Sequence, residues 1–222
     1  MEGTTAVVVI GGLAPDRRLS SILVRPTIVV AADAGLHHAI DLGLRVNAVV
    51  GDMDSVDHAI LTGAELNGVE VVRSPRDKDL TDTELALRHA ASRGATRITV
   101  VTGGGGRLDH QLGVIASLAH RDLAACTIDA WWDTAHINVL HGPARIDVAG
   151  RAGEVLGLHA FGGDARGVTT TGLKWNVTEE TFAPYSTRGV SNELNEVRAS
   201  ISLANGTIIV TRPHAQIGRA HV

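Results

Sequence analysis

Six short apolar runs, residues 6–10, 28–32, 48–50, 69–73, 98–101 and 127–131, are rich in valine and isoleucine and scarcely alternate with polar residues. A strand with one face in water alternates. A strand covered on both faces reads as a continuous apolar run, as strands of a parallel sheet between two helical layers do. Between these runs lie stretches of helical character. The clearest covers residues 82–93, where Thr81-Asp82-Thr83-Glu84 has the form of a capping box and Gly94 stands at the position that ends a helix. Another follows Asp109, with Leu112, Ile115, Ala116 and Ala119 at helical spacing. Strand, helix and strand in repetition predict an α/β layer with a doubly wound, mainly parallel sheet.

The pattern changes after about residue 134. Val197, Ala199, Ile201 and Leu203 alternate with Arg198, Ser200 and Ser202, as in a half-exposed antiparallel strand. Asn205-Gly206 then predicts a hairpin into residues 207–211. Residues 154–160 read as a further strand. The expected organisation is an α/β domain over residues 1–134 followed by a small antiparallel β-sandwich over 135–222. The polar tail, residues 215–222, is expected to be frayed.

Composition narrows the function classes. With 44% hydrophobic and 20% charged residues among 222, the chain has a globular profile. The net charge of −4 gives no footprint for nucleic acid or an anionic membrane surface. No apolar stretch approaches the roughly 18–20 residues of a membrane span. One cysteine, Cys126, cannot form an internal disulfide, which fits a reducing compartment and predicts a cytoplasmic protein. Only Lys78 and Lys174 are lysines, and neither stands in a GxxxxGK[ST] context. Phosphate handling, if any, is therefore expected from arginine, backbone amides and metal.

The acids fall at strand ends. Asp33 follows residues 28–32, and Asp52 and Asp54 follow 48–50. Asp77, Asp79 and Asp82 follow the run ending near Arg73, and Gly103-Gly104-Gly105-Gly106-Arg107-Leu108-Asp109-His110 follows 98–101. In a doubly wound sheet these ends share one edge, where ligands bind. Any one of these aspartates is explained as a helix cap or turn former, Asp82 most easily. Four clusters on one rim repel one another and call for a cation, for which Mg²⁺ with its oxygen ligands is the simplest choice. The glycines can turn their N–H groups toward an anion, and Arg107 offers a forked donor. Acids, glycine nest and arginine together describe a nucleoside triphosphate site.

In this order, Ala32-Asp33-Ala34-Gly35, Gly51-Asp52-Met53-Asp54-Ser55, Asp77-Lys78-Asp79-Leu80-Thr81-Asp82 and Gly105-Gly106-Arg107-Leu108-Asp109-His110 resemble the thiamine pyrophosphokinase family. Thr171-Gly172-Leu173-Lys174-Trp175 and Ser186-Thr187-Arg188-Gly189-Val190-Ser191-Asn192-Glu193 continue the resemblance, which spans about residues 7–211. It implies transfer of a pyrophosphoryl group from ATP to the thiamine hydroxyl, giving AMP and thiamine diphosphate. It also implies Mg²⁺ and a homodimer with the thiamine site at the interface. By the same resemblance Asp52, Asp54, Asp79 and Asp82 are metal ligands, and Asp52, Asp54 and Asp82 are catalytic. Asp82 would orient or deprotonate the hydroxyl. Asp33, Asp79, Thr81, Gly104, Gly105, Gly106, Arg107 and Asp109 would bind ATP, Asp109 by bracing Arg107. Trp175, Ser191 and Asn192 would line the thiamine pocket. Two other readings stand beside this one: a nucleotide or thiamine sensor without catalysis, and a haloacid-dehalogenase-type phosphatase built on Asp52-Met53-Asp54-Ser55. The phosphatase needs a lysine beside its aspartates, in a chain with two.

Overall fold

Strands and helices alternate through the first half of the computed structural model, which describes residues 3–23 and 25–217. The described residues divide into two compact units between Asp133 and Thr134. In the first, β1 (Thr4–Val9), β2 (Ile28–Ala32), β3 (Ala48–Gly51), β4 (Glu70–Arg73), β5 (Ala95–Thr102) and β6 (Thr127–Trp132) pair in parallel in the order β6-β5-β1-β2-β3-β4. The central runs are buried throughout, which is why they do not alternate. The helices are α1 (Gly35–Asp41), α2 (His58–Leu66), α3 (Asp82–Ser92) and α4 (Leu108–Leu118). Leu36 of α1 and Leu61 of α2 pack on Ala31 and Val49, while α3 lies along β1, β2, β3 and β5. Connections run outward from β1 to β4 and then return to β5 on the other side of β1. That reversal opens a crevice beyond the carboxyl ends of β1 and β5.

Two local expectations need correction. Thr81 caps α3 by accepting the Glu84 N–H (3.2 Å), but the Glu84 carboxylate turns to Arg88 (2.9 Å), so the box is half formed. On α4 the buried positions are Ser117 and Leu118, whereas Leu112 and Ala116 are exposed. Apolar spacing marked a stripe there, but α4 turns its Leu108-Leu112-Ala116 side outward.

The second unit is a sandwich of two antiparallel sheets. One has the order β12 (Asn192–Glu193), β9 (Val155–Ala160), β14 (Thr207–Arg212), β7 (Ala135–His141). The other is β11 (Glu180–Phe182), β10 (Ala165–Thr171), β13 (Arg198–Leu203), β8 (Ala144–Ala149). Leu140, Leu156, Leu158, Ile208 and Val210 of the first meet Val148, Val168, Ile201 and Leu203 of the second in one core.

Asn205-Gly206 does not close a hairpin. The strand before it, β13, pairs with β8 and β10, and the strand after it, β14, pairs with β7 and β9. Asn205 bridges to Arg166, and at Gly206 (φ 93°) a Cβ would lie 2.3 Å from the Asp164 carbonyl oxygen. Anchored to β10 in this way, the turn passes the chain into the opposite layer. A two-residue turn signal cannot tell these outcomes apart. Ser200 is buried although the alternation put it outside. Of the tail, Ala215 is buried and donates its N–H to the Thr134 carbonyl (3.1 Å), against the expectation of fraying. Residues 218–222 lie outside the described residues.

Candidate active site

Parallel pairing brings the residues after β1, β2, β3 and β5 to one edge of the first unit. There they line a cavity of about 430 Å³ together with Thr81, Asp82 and Trp132. Asp33, Asp52 and Asp82 converge at its floor, each able to offer one oxygen within 4.8 Å of the others. The backbone is shaped for this approach. Asp33 (φ 47°) and Met53 (φ 64°) both occupy the left-handed region, a costly conformation kept where surrounding contacts fix it. Gly51 lies between two of the acids: a Cβ there would stand 3.0 Å from Asp82 Oδ1 and 3.2 Å from Asp33 Cβ.

The electrostatics follow from this crowding. Burial, then the negative charges of Asp82, Asp52 and Asp54, hold the Asp33 carboxyl above the usual carboxylate range, with the Ser55 hydroxyl pulling the other way. Lys78 enters the cluster from the β4–α3 loop. Its Nζ lies 2.8 Å from Asp82 Oδ1 and 3.8 Å from Asp52 Oδ2, on a side chain only 14% exposed. Burial works against its charge, but Asp82, Asp52 and Asp33 outweigh burial and raise its pKa. Asp33 Oδ1 and Asp82 Oδ1 are buried without a hydrogen bond; the Lys78–Asp82 pair is close in distance but poorly aligned. Three half-buried carboxylates beside one ammonium, with oxygens left unbonded, fit a hard divalent cation.

The sequence expectations for the acids divide here. Asp52 and Asp82 stand in the cluster, and Asp33, expected to contact nucleotide, joins them. Asp54 lines the cavity, but it pairs with Arg76 (3.1 Å) and accepts from Ser55 (2.9 Å), outside the close trio. Asp79 is exposed and belongs neither to the cavity lining nor to the trio, which corrects its expected place among the ligands. Its neighbour Lys78 takes the inward position and Thr81 is held to the start of α3, so Asp79 faces out.

Across the cavity, Gly104, Gly105 and Gly106 all have φ between 71° and 78°. A Cβ on Gly104 would meet Trp132 Nε1 at 2.1 Å, so this loop is open only to glycine. Thr102 accepts the Gly104 N–H (3.0 Å) and donates to the Gly11 carbonyl (2.9 Å), while Leu13 donates to the Gly104 carbonyl (2.7 Å). The glycine loop is thus tied to the β1–β2 loop and leads into the N-terminus of α4. Arg107 sits at that terminus, exposed, with Asp109 holding its guanidinium at 2.5 Å and 3.1 Å. Asp109 itself does not line the cavity. This wall can receive polyphosphate.

The second unit has its own cleft, of about 750 Å³, lined by Trp175, Asn176, Phe182, Arg188, Ser191 and Asn192 among others. Trp175 is 54% exposed, and Lys174 Nζ stands 4.5 Å from its ring centre. Asn192 is buried: its Oδ1 accepts the N–H groups of Trp175 (3.2 Å) and Glu193 (2.9 Å), and its Nδ2 donates to the Trp175 carbonyl (2.9 Å). It fixes Trp175 and has no hydrogen-bonding capacity left over on Oδ1. Ser191, at φ 59°, is exposed at the rim.

Two family descriptions match the chain in sequence order. The catalytic domain of thiamin pyrophosphokinase matches residues 19–128, and its vitamin B1 binding domain matches 143–208. The chain belongs to the thiamine pyrophosphokinase family. A curated thiamine pyrophosphokinase of Bacillus subtilis is 28% identical over 212 residues, 94% of this chain and 98% of that protein. The crystal structure of thiamine pyrophosphokinase from Bacillus subtilis superposes with TM-score 0.81 at 25% identity, covering 96% of this chain and 100% of that one. A thiamin pyrophosphokinase structure from Candida albicans shares the fold at 16% identity and TM-score 0.75, covering 95% of this chain and 88% of that one. The family's activity, transfer of a pyrophosphoryl group from ATP to thiamine, is the activity of this chain, and neither the sensor nor the phosphatase reading is favoured. The family uses a divalent metal and binds both substrates. Among the described residues no helix is long and apolar enough to cross a membrane.

Sequence reasoning missed Lys78, Thr102, His110, Gln111 and Trp132 at the cavity. Only Lys78 carried a signal: it lies inside the Asp77-Lys78-Asp79 motif in a chain where nearly every other basic residue is arginine. It also supplies the lysine whose scarcity had counted against a phosphatase, so that reading falls on the family matches rather than on composition.

Proposed function

We propose that the cavity of the first unit, which ends at Asp133, binds ATP with Mg²⁺ and that the sandwich of the second unit holds thiamine against Trp175. The observation that carries this is the convergence of Asp33, Asp52 and Asp82 opposite a glycine loop at the N-terminus of α4. Those three acids would hold the metal, which on binding would neutralise phosphate oxygens and polarise the β-phosphorus. Thr81 lines the cavity beside them. The N–H groups of Gly105 and Gly106 and the Arg107 guanidinium would bind phosphate oxygens, Gly104 would shape the loop with its N–H held by Thr102, and Asp109 keeps Arg107 oriented. Asp82, at the first turn of α3, would orient the thiamine hydroxyl and accept its proton, and Asp54 would support the charge balance through Arg76. The hydroxyl oxygen forms a bond to the β-phosphorus as the bond from that phosphorus to the AMP oxygen breaks, so AMP leaves with the electron pair.

The cationic thiazolium suits the face of Trp175, an attraction of about 0.5–2 kcal/mol. Ser191 borders that cleft, and Asn192 acts by fixing the tryptophan. We further infer a homodimer, supported by the exposed Trp175, Tyr185 and Val190 on the second unit, and a cytoplasmic location, supported by the free thiol of Cys126. Incubation with ATP, Mg²⁺ and thiamine should release AMP and thiamine diphosphate in equal amounts, with no phosphoryl-enzyme trapped on quenching. Binding of both substrates without AMP would return the sensor reading. Sedimentation at micromolar concentration tests the dimer.

A further inference from the structure

The ammonium of Lys78 stands against carboxylates that a cation held by the trio would need. It lies against Asp82 Oδ1 and near Asp52 Oδ2, two of the three acids in the cluster, yet it leaves Asp82 Oδ1 and Asp33 Oδ1 without a well-directed hydrogen bond. A structural ion pair of this burial is normally complete, with its oxygens satisfied, since desolvation otherwise outweighs the attraction. This one neutralises charge without satisfying geometry. Lys78 also comes from the loop before α3, on a flexible four-carbon stem whose ammonium can turn to other acceptors. The other basic side chain nearby, Arg76, is engaged with Asp54 and is exposed, so it does not share this task.

We propose that Lys78 is a displaceable counter-ion: it neutralises Asp52 and Asp82 while the cavity lacks metal, and gives up their oxygens when a divalent cation binds, its Nζ then meeting the polyphosphate. The inference rests on the reading of this cavity as the metal and ATP site, and it assigns Lys78 a positioning part in that site. Two consequences follow. Metal alone binds against competition from the ammonium, so its affinity is held down. Nucleotide offers the released ammonium a new partner, so Lys78 adds to the mutual favouring of metal and nucleotide that direct contact between them supplies.

The test is titration of the full chain, free of nucleotide, with Mn²⁺, following free Mn²⁺ by its paramagnetic resonance. Lys78→Met should bind Mn²⁺ tighter by on the order of tenfold or more, since a unit charge a few ångströms away is removed. The same variant should show a raised KM for ATP and a lower kcat. Lys78→Arg should bind Mn²⁺ as the parent does, and Lys78→Gln, which keeps a hydrogen-bond donor for Asp82 without the charge, should behave as Lys78→Met. Asp82→Asn should lose Mn²⁺ affinity. If folded Lys78→Met and Lys78→Gln bind Mn²⁺ no tighter than a parent that binds the ion and makes thiamine diphosphate, Lys78 is a fixed structural partner and the proposal alone is overturned. If neither the parent nor these variants bind Mn²⁺, with or without α,β-methylene-ATP, the metal reading of the cavity falls together with it.

Discussion

The two clefts are built on opposite principles. In the first unit the proposed metal-binding groups are charged and half-buried, and they sit after β2 and β3 and at the start of α3, within a few ångströms of one another. In the second the proposed thiamine surface is an exposed tryptophan on a loop, fixed through its backbone by one buried asparagine. One site stores electrostatic cost in the fold and the other depends on a hydrogen-bonded splint. Substitutions should therefore fail differently in the two places.

The largest effect should come from Asp52→Asn. It should lower kcat/KM on the order of 10²–10³-fold, the scale of losing one preorganised electrostatic contact, while melting temperature holds or rises because a crowded charge is gone. Activity and melting that fall together would mean Asp52 is structural. Next, Gly104→Ala should raise the KM for ATP and cost about 1–3 kcal/mol of stability, since the new methyl group meets the Trp132 indole in a left-handed backbone. Trp175→Ala should weaken thiamine binding about 3- to 30-fold, the equivalent of losing its cation–π contact, and leave ATP binding unchanged. Asn192→Ala should copy that loss and also destabilise by about 1–3 kcal/mol through unpaired backbone groups. Calorimetric titration with each substrate separates the pair: equal losses for thiamine and ATP would remove the distinction between the clefts.

The smallest expected effect is a pH dependence. Asp33 holds its proton more tightly in the folded chain than in the unfolded one, so it binds more protons when folded. Its contribution to stability is therefore fully present below the unfolded pKa and is lost as pH rises through the folded value. In metal-free protein, melting temperature should decline over that window, and Asp33→Asn should flatten the decline. Asparagine tolerates the left-handed backbone at this position, so the comparison is clean. A parent and variant with the same pH profile would show that Asp33 is not strained electrostatically.

The difference between the units also explains what could be read in advance. Strands of the first unit announce themselves because burial on both faces leaves no room for polar residues, and parallel pairing puts all their following loops on one edge. From that alone the acids after β2 and β3 and around the start of α3 share one rim, but the selection of Asp33, Asp52 and Asp82 from among them is made by the folded loops. Which neighbour turns inward is decided by loop conformation, so Lys78, of which nothing was expected, takes the inward place and Asp79 is exposed. In the second unit, Asn205-Gly206 gives a turn but not the identity of the strand it leads to, since that depends on the anchor at Arg166, 39 positions away. Asn192 reads as a pocket residue beside Ser191. Its work on the Trp175 backbone is a tertiary contact across 17 positions that no local pattern carries.

The passage from β13 into β14 leaves β14 between β7 and β9, two strands made well before it. During synthesis, both of those strands must wait with open edges until β14 has emerged. The first unit, complete by residue 133, can fold long before that, so the unit carrying the acids matures ahead of the one that carries the tryptophan.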